Sequence, residues 1–101
     1  MQLYPPAAPT NVVVTARVVN TNADRLTLTW TASVGAANYT IQMANYPGFT
    51  GAIVTTVSGN ATSWNSGNVP RNSNYYLRIM ATNAAGASAW VNANPFPIHT
   101  P

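Results

Sequence analysis

The chain has no cysteine and no lysine, and Asp24 is the only acidic residue among its 101. Without cysteine there is no disulfide and no thiolate metal site. A single carboxylate cannot supply the paired acids of glycoside hydrolysis. It also falls short of the several carboxylate oxygens usual at a calcium site. Zinc takes three or four N, S or O ligands, against His99 and Asp24 here. A Ser-His-Asp triad can be assembled on paper from those two and any serine. However, His99 stands in a Pro-rich tail, NPFPIHTP, a poor setting for a rigid buried base. Neither a GxGxxG nor a P-loop pattern occurs. The expectation is a chain that is not an enzyme and carries no cofactor and no metal.

Other absences narrow the partners. The bases are Arg17, Arg25, Arg71 and Arg78, so the net charge of +3 comes from missing acids. Four scattered arginines would release few counterions from a nucleic acid, which excludes tight phosphate binding. No apolar run approaches the ~20 residues that span a bilayer, so no membrane partner is expected. The start, MQLYPPAAP, lacks the basic and apolar regions of a signal peptide. Disorder is excluded as well, because disordered chains are poor in aromatic and β-branched residues. A lysine-free surface rich in Asn and Thr suits an extracellular or cell-surface setting.

What is present is a series of short runs of Val, Ile, Thr and aromatics, separated by Gly, Pro, Asn and Ser clusters. That spacing predicts an all-β sandwich or barrel. Seven strands are expected, over Val12 to Val19, Arg25 to Ala32, Asn38 to Ala44, Ala52 to Val57, Thr62 to Asn65, Asn74 to Asn83, and Ala89 to Ala93. No segment carries a helical period. Seven antiparallel strands with one buried face each make two packed sheets. Trp30, Tyr39, Trp64, Tyr75 and Leu77 are the expected core. The pair Asp24-Arg25 reads as turn chemistry before the second strand, and His99 as a solvated tail residue.

Several stretches carry a family resemblance. Pro9-x-x-Val12-x-Val14 resembles the entry to the first strand of a fibronectin type III domain. Leu26-x-Leu28-x-Trp30 resembles its second strand and core tryptophan, and Tyr39-x-Ile41 its third. Val69 followed six residues later by Tyr75 resembles the tyrosine corner of the family. Tyr75-x-Leu77-x-Ile79-x-Ala81-x-Asn83-x-x-Gly86-x-Ser88 resembles the sixth strand and its loop. The resemblance implies a seven-stranded immunoglobulin-like β-sandwich over residues 9–94, with linkers at 1–8 and 95–101. It also implies that the phenol of Tyr75 hydrogen-bonds to backbone before its own strand. Ser66 departs from the pattern, where an apolar residue is usual, and makes a short or irregular fifth strand the expectation. The adhesive tripeptide Arg-Gly-Asp is absent. The Ala/Asn/Thr-rich style is similar to modules of bacterial or archaeal secreted enzymes and surface proteins. In such proteins these domains serve as spacers or accessory modules, monomeric in isolation, with neighbouring domains as partners.

The outer face of the sixth strand has an unusual composition. Tyr76, Arg78 and Met80 project from it, and Trp90 joins them if the seventh strand pairs alongside with Val91 and Ala93 inward. Thr40 and Gln42 would be their neighbours on the third strand. A patch of Tyr, Trp, Met and Arg reads as a contact surface for a neighbouring domain, a protein or a polysaccharide. The reading set ahead of that is a local cation–π arrangement of Arg78 over Tyr76 or Trp90. The loop Tyr46-Pro47-Gly48-Phe49 is expected to cap the end of the core, with stacking of its aromatics on sugar rings as the alternative. Asn38-Tyr39-Thr40 and Asn60-Ala61-Thr62 match the glycosylation acceptor pattern, as chance allows in an Asn/Thr-rich chain.

Overall fold

The computed structural model describes residues 4–101, and the first three residues of the expected 1–8 linker lie outside them. Alternation builds the framework. In β2 (Ala23–Thr31), Leu26, Leu28 and Trp30 are buried and the residues between them face outward. β1 (Thr10–Asn20) turns Val12 and Val14 to the same interior. β3 (Asn38–Ala44) contributes Tyr39, Ile41 and Met43, and β6 (Asn74–Asn83) contributes Tyr75, Leu77, Ile79 and Ala81. With β4 (Ile53–Ser58) and β5 (Ser63–Pro70) these strands form two antiparallel sheets, ordered β1-β2-β5 and β4-β3-β6. Their inner faces meet in one core. Trp30 and Tyr39 join the sheets edge to face, with ring centroids 5.3 Å apart. Trp64 is only partly buried against this core.

The strand expected over Ala89 to Ala93 is reduced to β8 (Val91–Asn92), and β7 (Gly86–Ala87) forms in the stretch read as the loop before it; both pair with β6. Beyond it lies an addition. β9 (Ile98–His99) pairs with the first residues of β6, Asn74 and Tyr75. Thr100 is fully buried, its hydroxyl donating to Pro70 O and accepting from Ser73 N. The expected linker 95–101 is therefore part of the domain: a threonine hydroxyl satisfies both a donor and an acceptor of the β5–β6 turn. At the other end Asn83 Nδ2 donates to Tyr4 O at 2.7 Å, and Pro6 is buried. Residues 4–8 thus pack on the domain as well.

Of the two alternatives expected for the fifth strand, irregular rather than short is what is found, since β5 reaches Pro70. Its irregularity is a bulge in which Ser66 and Gly67 together face Leu26. Gly67 takes a φ of 77°, a region that favours glycine. The Ser66 hydroxyl accepts from Leu26 N at 3.0 Å and donates to Gly67 O at 2.8 Å. The polar residue in an apolar place thus repairs the ladder that the bulge interrupts. Ser66→Ala leaves the buried Leu26 N–H unpaired, and an orphaned buried donor costs about 1–3 kcal/mol. Urea denaturation is expected to show a loss in that range with an unchanged m-value.

Tyr75 is buried, but no hydrogen bond joins its hydroxyl to the backbone before β6 among the described residues. That backbone is already engaged: Thr100 takes Pro70 O and Ser73 N, and Pro101 O accepts from Asn72 N. The buried phenol with a backbone partner is Tyr39, whose oxygen accepts from Ser33 N at 2.7 Å.

Asp24 is also not a turn residue. It lies within β2, opposite Val18 and Val69, and is fully buried. The strand begins early enough that the alternation of Leu26, Leu28 and Trp30 carries back to position 24 and turns the carboxylate inward.

Candidate functional site

The outward residues of β6 build a continuous stack. Gln42 on β3 stands opposite Arg78, and its Oε1 accepts from Arg78 Nε at 2.7 Å. That bond aims the guanidinium across the sheet surface. Its carbon lies 4.1 Å from the centroid of the Phe49 ring and 4.3 Å from that of Trp90. Phe49 in turn stacks on Phe96, with centroids 6.1 Å apart and planes at 28°. Phe96 meets Tyr76 edge to face at 5.0 Å. The order along the face is Trp90, Arg78, Phe49, Phe96, Tyr76.

Of the residues expected on this face, Tyr76, Arg78 and Trp90 belong to the stack. Met80 lies farther along, half-buried opposite Thr40. The arginine does not lie over Tyr76, which contacts Phe96 instead. Two members were not anticipated on this surface. Phe49 was expected to cap the end of the core, and it folds back over the outer sheet face. Its φ is 60°, a conformation rare for a bulky side chain. The turn is closed by Phe49 N donating to Tyr46 O at 3.0 Å and Ala52 N to Phe49 O at 3.2 Å. Only 9% of Phe49 is exposed. The second member, Phe96, comes from the tail segment read as linker. The Pro47-Gly48 turn signal was the one hint that the chain reverses next to Phe49. No local pattern signals the return of Phe96.

The electrostatics follow from the scarcity of acids. Arg78 has no carboxylate to pair with, because the only acid is elsewhere. Two π faces and one amide oxygen take that place. A cation between aromatic rings gains about 0.5–1 kcal/mol at an exposed site and about 2 when desolvated. Arg78 is half-buried, between those limits. The left-handed backbone of Phe49 costs about 1–3 kcal/mol. The stack is of the size needed to hold it.

A second polar cluster occupies one pole. Arg71 Nε lies 3.7 Å from Asp24 Oδ1, and neither Asp24 oxygen has a hydrogen-bond partner among the described residues. The same guanidinium donates to Pro101 O and Thr21 O, each at 3.2 Å. His99 is exposed, with ring nitrogens 2.7 and 3.1 Å from the side-chain oxygens of Asn74 and Asn72. The paper triad is not assembled: Asp24 faces Arg71, and His99 faces two asparagines. Among the described residues no group of three His, Cys, Asp or Glu side chains could hold a metal.

No family model and no curated protein matches the sequence. Solved structures do. The fn3 domain of the human collagen alpha-1(XX) chain superposes with a TM-score of 0.74 at 20% identity, covering 99% of this chain and 90% of that one. The FN1-FN3 domains of chicken CNTN1 match at 0.70 and 21% identity, with 96% of this chain against 31% of that. Titin kinase with its flanking domains matches at 0.61 and 23% identity, over 97% of this chain and 18% of that. The fold is that of a fibronectin type III domain, and in two of these structures it makes up only part of the matched chain.

Proposed function

We propose that this chain is a non-catalytic module that spaces and orients neighbouring domains of a larger secreted or cell-surface protein. The observation that carries this reading is the placement of the two ends. The body measures 53 × 24 × 18 Å. Tyr4 is held by Asn83, at one end of β6, and Pro101 is held by Arg71 and Asn72, just before its other end. The polypeptide thus enters at one pole and leaves at the other, with both approaches tied to the domain by side-chain-to-backbone bonds. That arrangement transmits orientation from one neighbour to the next. The matches to portions of longer chains support it, and so does the lysine-free, Asn/Thr-rich surface. The Trp90–Tyr76 stack is the surface on which a neighbouring domain would rest.

The chain contains no cysteine, so two cysteines introduced at positions 4 and 101 can carry a label pair. Spin-label distances are expected to be long and narrowly distributed, and unchanged when a folded domain is fused to either end. A broad or short distribution would overturn the spacer reading. Polysaccharide binding is the competing reading for the aromatic face. One face each of Phe49 and Trp90 is already taken by Arg78, which leaves less ring surface for a sugar. Retardation in affinity gels containing polysaccharide would favour binding over spacing.

A further inference from the structure

We propose that β4 is a pairing edge for a second copy of this chain, which adds its own β4 antiparallel and joins two sheets into one. This goes beyond the spacer reading and does not depend on it.

A sheet edge offers unpaired N–H and C=O groups, and folded proteins blunt such edges with charge, proline, bulges, short strands or a covering segment. Every other edge in this sandwich is blunted. The first half of β1 is closed by the segment after β8, through Val14 N to Asn94 O and Asn94 N to Val12 O, both 3.0 Å. Its second half carries Arg17 and a register shift. β5 carries the Ser66-Gly67 bulge and ends on Pro70. β7 and β8 are two residues each.

Among the described residues, β4 has none of these devices. Its sequence is IVTTVS, without charge, glycine or proline, and its pairing with β3 runs without a register shift. Ile53 and Val54 are each 58% exposed. The open groups can be assigned. Gly59 N donates to Ala37 O beside the Asn38–Ser58 pair, so Val57, Thr55 and Ile53 direct their backbone bonds to β3. Val54 and Thr56 therefore point N–H and C=O away from the sheet.

These groups select their own kind. In an antiparallel pair centred on Thr55, Val54 of one copy exchanges backbone bonds with Thr56 of the other, and Ile53 lies opposite Val57. Each opposed pair consists of β-branched residues, which are favoured as cross-strand neighbours. No like charges meet, since none of the four arginines lies on β3 or β4. A single strand edge buries little area, which makes this a weak, concentration-dependent contact.

Sedimentation of the full chain from micromolar to millimolar concentration is expected to show a monomer–dimer equilibrium. Val54→Lys is expected to weaken it about tenfold or more, with a thermal melt like that of the parent. Thr55→Cys places two thiols opposite each other in a non-hydrogen-bonded pair, about 4.5 Å between Cα atoms, close enough for a disulfide. Mild oxidation is expected to cross-link it faster than a control Ala84→Cys. A chain monomeric throughout overturns the proposal. So does a dimer that persists in Val54→Lys, or one that cross-links no faster at position 55 than at 84.

Discussion

Arg71→Ala is expected to lower the unfolding free energy by about 2–3 kcal/mol, and Asp24→Asn in the same chain to restore part of that loss. Removing one partner of a buried ion pair costs about 3–5 kcal/mol, because the remaining charge is left without compensation. Asp24 meets that condition, being fully buried with no hydrogen-bond donor of its own. Arg71 does not meet it fully. Its side chain is 37% exposed and 3.7 Å from the carboxylate, so solvent screens part of the attraction. The lower figure follows from that exposure. Arg71 also ties Thr21 O and Pro101 O together, and neutralising Asp24 cannot replace those bonds. A double-mutant cycle by chemical denaturation separates the two contributions. If Asp24→Asn brings no recovery in the Arg71→Ala background, the carboxylate is not what the arginine compensates.

Gly59→Ala is expected to cost about 3 kcal/mol, at the upper end of what overpacking does. A Cβ at this position would stand 2.2 Å from Ala36 O and 2.9 Å from the carbonyl carbons of Ala36 and Ala37. Those neighbours are backbone, so no rotamer change can relieve the contact. The same backbone supplies Ala37 O to Gly59 N and Ala37 N to Thr82 O. Moving it would disturb the pairing of β3 on both sides. Gly48 serves as the control, with nothing within 4 Å of an added Cβ. Thermal melts of Gly59→Ala and Gly48→Ala are expected to differ by several degrees, and equal melting temperatures would show that the turn gives way.

The sandwich was legible because its signal is local. Period-two alternation in Leu26-x-Leu28-x-Trp30 and in Tyr75 to Ala81 assigns faces without knowledge of partners. It also placed Tyr76 and Arg78 on the outer face. The partners of that face were not legible. Phe49 reaches Arg78 only through a left-handed turn, and Phe96 returns from a segment whose prolines read as linker. Asp24 was misread for a related reason. Polarity suggested a turn, yet its position in the alternation places it inside, and its compensating Arg71 is distant in sequence. The hydroxyls of Ser66 and Thr100 share this character. Each looks out of place in the hydrophobic pattern and is explained by a backbone group on another strand. Tyr75 shows the reverse, because it fits the pattern of the family and yet makes no such hydrogen bond among the described residues.

The buried Thr100 and the two-residue β9 also determine how the domain would carry tension. A pull along the long axis reaches Pro101 first and runs through its bonds to Arg71 and Asn72, then through Thr100 to Pro70 and Ser73. β9 lies antiparallel to β6, so its hydrogen bonds stand across the direction of force and are loaded together rather than peeled one at a time. The strain then passes into β6, which is bonded to β3 along almost its full length. A tail of seven residues thus delivers an applied force to a strand anchored by β3, which makes the C-terminal clasp a mechanical coupling as well as a cap.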